Sequence, residues 1–343
     1  MMLRIKNLQV TLHYTDNMKK YIKYICGVLL FCSLGIATPG FGQELFAPVQ
    51  NQYLADNPYL ISSAYAGIGD CWQIRGTGFE QWVQVKNGPS TQNLSVDGRI
   101  SDRSGVGAIL FNDSNGATTQ RGAQVSFAHH LTLSEYNNQY LSFGLSYRFT
   151  QFGIDASQFN NGDPDNPISP SLQNINYNNS NFDLGILYRL GRFFLSANAV
   201  NLIEKQIDNF GELEPTKLQN YYLYTGYTFY RKFSNVEIEP SILYQSFASD
   251  GRSAADVSIK VRKLMRQNYM WAGLTLRSIV DQEFKPLSVS PMIGIKRANF
   301  YVAYGYQVGI NESLENLSTA AGSHMITLGF DFACRQSKCG CTY

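Results

Sequence analysis

Charge is scarce in this sequence. Asp, Glu, Lys and Arg make up only 16% of its 343 residues, where a soluble globular chain carries about a quarter. The formal net charge of +2 is too small for the broad basic surface that nucleic-acid binding requires. Long apolar runs are missing as well. A mean hydropathy of −0.20 excludes a bundle of transmembrane helices. It does not exclude a β-barrel, whose strands alternate apolar and polar residues and average out. The one sustained apolar run lies between Ile25 and Ile36, short for a permanent span of about 20 residues. Beyond Gln43 there is no long helical periodicity, no internal repeat, no phosphate loop and no zinc motif.

That apolar run has the setting of a targeting segment. Lys19, Lys20 and Lys23 precede it, and Thr38, Pro39, Gly40, Phe41 and Gly42 follow. Small residues at Gly40 and Gly42 suit cleavage before Gln43. Residues 1–42 are therefore expected to be a signal peptide, with Met18 of the Met-Lys-Lys triplet as the true start. The alternative is a retained membrane anchor. Cys32 follows Phe31 rather than a small residue, which argues against a lipoprotein. Export implies an oxidising compartment. Of the six cysteines, Cys71, Cys334, Cys339 and Cys341 remain after cleavage, and disulfides suit them better than zinc.

What is abundant is aromatic residues, 22 Tyr and 21 Phe among them, and alternation with period two. Leu141, Phe143, Leu145, Tyr147 and Phe149 interleave with Ser142, Gly144, Ser146, Arg148 and Thr150. Phe182, Leu184, Ile186 and Tyr188 interleave with Asp183, Gly185 and Arg189, Leu187 being the exception. Similar patterns surround Ile259 and Leu328. On a strand such residues form one apolar and one polar face. About fourteen such segments can be counted, centred near Arg75, Val96, Ala108, Val125, Leu145, Ile186, Ala197, Tyr224, Ser241, Ile259, Gly273, Pro291, Tyr304 and Leu328. Roughly nine to twelve residues each is the length that crosses a bilayer when tilted.

Short connections are expected near residues 101–104, 191, 231–234, 264–267 and 297–298. Longer ones are expected at 83–89, 112–117, 153–180, 202–218, 246–252, 279–286 and 310–320, with 132–138 out of pattern. Short periplasmic turns and longer outer loops are the rule for outer-membrane barrels. The fold class expected is all-β: a single closed antiparallel transmembrane β-barrel of about fourteen strands. Its parts are a periplasmic or plug segment at 43–66, a barrel at 67–333 and a Cys-containing periplasmic tail at 334–343.

Catalytic sets are not convincing. His129, His130 and His324 are the histidines beyond the signal, and neighbours such as His129 and His130 face opposite sides of a strand. A lone barrel histidine is more often a hydrogen-bonder than a base. No cofactor or metal is implied. Asp97, Arg99, Arg148, Asp183, Arg189, Glu237, Glu239, Lys260, Arg262, Arg277 and Asp331 fall on the polar phase. Mixed signs suggest pairing across a narrow or plugged lumen rather than an ion-selective pore, and residues 44–63 are the candidate plug. Bases collect in the short turns (Arg103, Arg192, Lys263 and Arg297 among them). The plain explanation is solvated turn ends; the sharper one is a periplasmic rim for an acidic partner.

The ends of a closed barrel are antiparallel neighbours. Residues 72–82 should pair with 325–332, which brings Cys71 and Cys334 together at the periplasmic rim, within disulfide reach. Pairing of Cys334 with Cys339 or Cys341 is the competing arrangement.

Three blocks resemble the PorP/SprF family of type IX secretion system membrane proteins of the Bacteroidetes. The first is Gln52, Tyr53, then Asn57, Pro58, Tyr59, with Ala64, Tyr65, Ala66 and Gly67 behind. Ser62 and Ser63 stand where the family usually has Asn-Pro. The second is Gln81, Trp82, then Gly88, Pro89, Ser90, Thr91 and on to Leu94, Ser95. The third is Gly322, Ser323, His324, with Met325 in place of a usual Glu. The resemblance implies a non-enzymatic outer-membrane barrel. It implies a role in secretion or surface attachment of a large adhesin, often for gliding motility, or a link to periplasmic secretion components. Its implied partners are outer-membrane lipid, a type IX client and that machinery, not nucleic acid. Ala64, Tyr65, Ala66, Gly67, Trp82, Gly88, Pro89, Thr91 and His324 become candidate partner-binding residues. Ala64–Gly67 would lie on the periplasmic side, and Trp82, Pro89 and Thr91 would flank the first outer loop, where Trp82 also suits an interfacial aromatic belt. A passive porin or hydrophobic-solute transporter is the alternative function, and a barrel hydrolase a remote third.

Intact mass of the envelope-extracted protein is expected to correspond to a chain beginning at Gln43; a mass retaining the Ile25 to Ile36 run would identify an anchor instead.

Overall fold

The computed structural model describes residues 57–83, 87–154, 175–204, 219–230, 234–249, 251–265, 268–310 and 322–334. The expected signal peptide, the start of the expected plug, and Cys339 and Cys341 lie outside the described residues.

Fifteen strand segments follow one another: β1 (Trp72–Glu80), β2 (Ser90–Ser101), β3 (Ser104–Asn115), β4 (Thr118–Ser134), β5 (Gln139–Ile154), β6 (Ile175–Leu190), β7 (Phe193–Val200), β8 (Asn220–Tyr227), β9 (Phe229–Tyr230), β10 (Val236–Phe247), β11 (Ser253–Met265), β12 (Asn268–Ile279), β13 (Lys285–Arg297), β14 (Phe300–Gly309) and β15 (Ser323–Phe332). β8 and β9 are one stave interrupted at Thr228, and both pair with β10. The result is a closed, antiparallel, fourteen-stranded barrel. Every expected strand centre falls within a strand.

Closure runs through β1 and β15, in register from Trp72↔Phe332 to Glu80↔His324. Hydrocarbon offers no partner to a bare sheet edge, so a spanning sheet must close on itself. Alternation then sorts the side chains. On β5, Phe143, Leu145, Tyr147 and Phe149 are 40–51% exposed, while Ser142, Ser146 and Thr150 are at most 1% exposed. The exposed face is apolar and the buried face polar, the inverse of a soluble sandwich and the arrangement of a lipid-facing wall.

Three connections differ from the sequence reading. Residues 112–117 are not a long loop: β3 and β4 continue in register to Asn115↔Thr118, leaving residues 116–117 as a tight turn. The 153–180 loop is shorter at both ends, since β5 and β6 pair as far as Ile154↔Ile175. The 132–138 connection is reduced to residues 135–138, because β4 runs on to Ser134. β4, β5 and β6 are 17, 16 and 16 residues long, beyond the expected nine to twelve. Asn112, Asp113, Asn176 and Asn178 look like loop residues because their stretch of ladder stands beyond the hydrocarbon, where an apolar face is not required.

At the opposite rim Cys71 and Cys334 are joined as a disulfide, Cα–Cα 3.9 Å, across a sequence separation of 263 residues. Trp72 and Phe332 stack just above it, ring centroids 6.3 Å apart. The bond staples the first strand to the last where the ladder has no further residues to add. Peptide mapping without reductant should recover Cys71 linked to Cys334, and Cys71→Ser should lower unfolding stability by up to about 5 kcal/mol, the chain-entropy ceiling for so long a loop. A free Cys71 thiol in mature protein would contradict the staple.

Candidate functional site

The candidate residues separate into two groups. The first lies inside the barrel. Residues 57–68 form two short 3-10 turns, Pro58–Leu60 and Ser63–Tyr65. Pro58 starts the first, where its missing N–H costs nothing. Ser62 caps the second, its Oγ accepting from the Ala64 amide at 3.3 Å. Ala64, Tyr65 and Ala66 are 0–3% exposed.

An irregular backbone is tolerated at membrane depth only where protein satisfies its polar groups, and inward-facing side chains do so here. Asn57 Nδ2 donates to Ser95 Oγ at 3.0 Å. The Tyr59 hydroxyl donates to Ser126 Oγ at 3.0 Å. The Gly67 amide donates to Asp97 Oδ2 at 3.0 Å, and Arg99 Nε donates to the Gly67 carbonyl at 2.9 Å. His130 bridges the Ala66 carbonyl at 3.0 Å and Ser142 Oγ at 2.8 Å through its two ring nitrogens. It is a luminal hydrogen-bonder, while His129 on the opposite face meets Ser104 Oγ at 3.0 Å.

The wall makes room for this segment. A Cβ on Gly105 would overlap the Ala66 carbonyl, and one on Gly144 would overlap the Ala64 nitrogen and the Ser63 carbonyl carbon. Gly67 itself has φ +69°, and a side chain there would press on Gly105 and Gly98. Leu187, the break in the β6 alternation, turns inward and is fully buried in the apolar cluster that contains Tyr59, Ala64 and Tyr65. Ala64–Gly67 is built into the lumen, Ala66 and Gly67 packing beside Gly98 and Gly105 next to the short β2–β3 turn, and the luminal segment continues to Ile68 before β1 begins at Trp72.

Charges on the rest of the inward phase form ion pairs. Arg75 meets Asp331 at 2.6 Å, and Lys296 bonds the same carboxylate. Arg148 meets Asp183 at 2.8 Å, Lys260 meets Glu239 at 3.2 Å and Arg277 meets Asp256 at 3.4 Å. Buried ions of this kind persist only when matched.

The second group sits at the loop end of the seam. The Gln81 amide donates to the Pro89 carbonyl at 2.8 Å, closing the first outer loop, and Trp82 takes φ 51° within it. Thr91, buried, bonds Asp113 through its hydroxyl. His324 lies across the seam from Glu80, its Nδ1 2.7 Å from the Tyr304 hydroxyl and its ring 5.1 Å from that of Tyr306. Closure thus brings His324 to the loop holding Trp82, Gly88 and Pro89, which adjacency in sequence does not suggest. The tyrosines around His324 have the character of an interfacial aromatic belt. No cluster of three metal-binding side chains occurs among the described residues.

A closed barrel with a lipid-facing apolar wall, a polar lumen partly occupied by its own N-terminal segment and longer loops at one end defines an outer-membrane β-barrel protein. The chain belongs to the PorP/SprF family: the family profile, type IX secretion system membrane protein PorP/SprF, matches residues 43–330. No curated protein matches it in sequence. Among solved structures it is similar to the outer membrane protein Omp33 of Acinetobacter baumannii, at TM-score 0.43 and 10% identity over 78% of this chain and 100% of that one. It is also similar to a Pseudomonas aeruginosa FadL homologue, at TM-score 0.42 and 11% identity over 87% and 100%. The P. putida toluene transporter TodX matches at TM-score 0.41 and 11% identity over 86% and 99%.

Gly105→Ala and Gly144→Ala should each destabilise the detergent-solubilised barrel by about 1–3 kcal/mol, the usual cost of overpacking, and raise its conductance in planar bilayers. Gly78→Ala, which meets nothing within 4 Å, should change neither. Equal melting of all three would mean that the luminal segment is not seated by the glycine wall.

Proposed function

We propose that this protein is a non-catalytic accessory barrel of type IX secretion. It assists secretion or surface attachment of a large adhesin or similar client, of the kind used in gliding motility, or links the outer membrane to the periplasmic secretion machinery. The observation that carries this reading is membership of the PorP/SprF family across residues 43–330. The interior supports it. Inward charges pair with one another, Arg75 with Asp331, Arg148 with Asp183 and Arg277 with Asp256, whereas a conducting pore keeps them hydrated. The outer seam cluster around Trp82 and His324 is the candidate client contact, because loops carry recognition on rigid scaffolds.

Deleting the gene should abolish surface display of the client adhesin, and the intact chain should restore it. Trp82→Ala should reduce display several-fold while the barrel still folds, as judged by heat-modifiable migration in gels. Full display in the deletion strain, together with large stepwise conductance of the purified protein, would favour a solute channel instead.

A further inference from the structure

The luminal segment fills only one side of the barrel. It packs on β2 to β6, and beside it a cavity of about 780 Å³ remains, lined mainly by β7 to β13 and closed by residues of β1, β15 and the periplasmic ends of β2, β5 and β6. Tyr59, Tyr65 and Ile68 of the segment form its inner wall, while Asn138, Gly191 and Arg192 from two short turns line its mouth. The cavity thus opens at the periplasmic end. It reaches from Tyr230 inward to Tyr224 along β9 and β8, about 15 Å after allowance for strand tilt. That depth accepts about four or five residues of extended peptide.

Its chemistry is selective. The lining carries six Lys and Arg side chains against four carboxylates. One carboxylate, Asp331, serves both Arg75 and Lys296, and another, Asp97, receives the Gly67 amide. The cations are held over rings: Arg192 lies 4.9 Å from the Tyr230 ring centroid, Arg262 5.3 Å from Tyr269 and Arg75 4.9 Å from Tyr301. Stacking holds these guanidinium groups in place. Arg75 and Lys296 pair with Asp331, Lys260 with Glu239 and Arg262 with Glu237, and the lining still keeps a net positive charge of two. The aromatic faces accept apolar side chains.

We propose that this vestibule is a binding site for an extended acidic peptide segment of a periplasmic partner. A recess beside a seated luminal segment, lined by rings and a surplus of cations, is suited to holding a ligand. Its mouth lies within the ring of turns, away from the lipid-facing wall, so it is presented to a polypeptide rather than to bilayer headgroups. The site requires that the short-turn end face the periplasm; it does not require a role in secretion, so it can fail while adhesin display succeeds, and the reverse.

The test uses the mature protein in nanodiscs and a short fluorescein-labelled peptide of alternating Glu and Leu, followed by fluorescence anisotropy. The Glu peptide should bind and weaken with salt, and its Lys counterpart should not bind. Arg192→Glu, at an exposed turn, should weaken binding about fivefold or more. Thr228→Trp, which fills the cavity, should abolish binding, with folding verified by heat-modifiable migration. Equal binding of both peptides, or indifference to both substitutions, would overturn the site. So would binding that appears only after removal of residues 43–56, which would assign the vestibule to the chain's own N-terminal segment. Displacement of the peptide by phosphatidylglycerol vesicles would assign it to lipid headgroups and equally overturn it.

Discussion

Hydrocarbon cannot hydrogen-bond a peptide group, and each unpaired group in it costs several kcal/mol. The ladder between Trp72–Glu80 and His324–Phe332 answers that constraint, since it joins the two ends of a sheet that would otherwise expose two edges. Much of the molecule's geography follows from it. Because the strand number is even, both ends of the barrel emerge at the same rim, where Cys71 and Cys334 meet. The same seam, at its other end, carries His324 to the first outer loop. Residues more than two hundred positions apart become neighbours through closure alone.

The constraint acts on the interior in a second way. Alternation puts every other side chain inside, and most of those are polar or charged. Open water would solvate them; here many bond one another or the backbone of residues 57–68 instead. Asp97 and Arg99 hold the amide and carbonyl of Gly67, and His130 holds the Ala66 carbonyl. The luminal segment is therefore part of the hydrogen-bond economy of the wall. Removing it would strand buried donors and acceptors, each worth about 1–3 kcal/mol unpaired.

Strand positions were legible because lipid enforces apolar residues on one face, as at Phe143 to Phe149. Where lipid stops, so does that signal: Asn112 to Asn115 read as a loop yet continue the ladder. The cysteine staple was legible once closure was assumed. The glycine wall was not, because Gly105 and Gly144 look like any small polar-phase residue until the segment they admit is in place. Leu187 was visible only as an anomaly in β6; its burial against the luminal segment explains it. The blocks around Ala64 and Trp82 carried the family resemblance without revealing their placement, one built into the lumen and the other at the outer rim.

That placement makes the lumen asymmetric, and the asymmetry follows from where small residues lie. Gly105, Gly144 and Gly185 sit on β3, β5 and β6, so the backbone of residues 62–67 can approach only that side. The facing strands carry Phe194, Tyr224 and Tyr269, whose bulk keeps the segment off while enclosing the vestibule. A segment centred in the lumen would divide the space into slivers too narrow for a peptide. Held against one wall by glycines, it leaves room for a recess lined by rings and stacked cations. The glycines that seat the luminal segment therefore also set the shape of the space that remains.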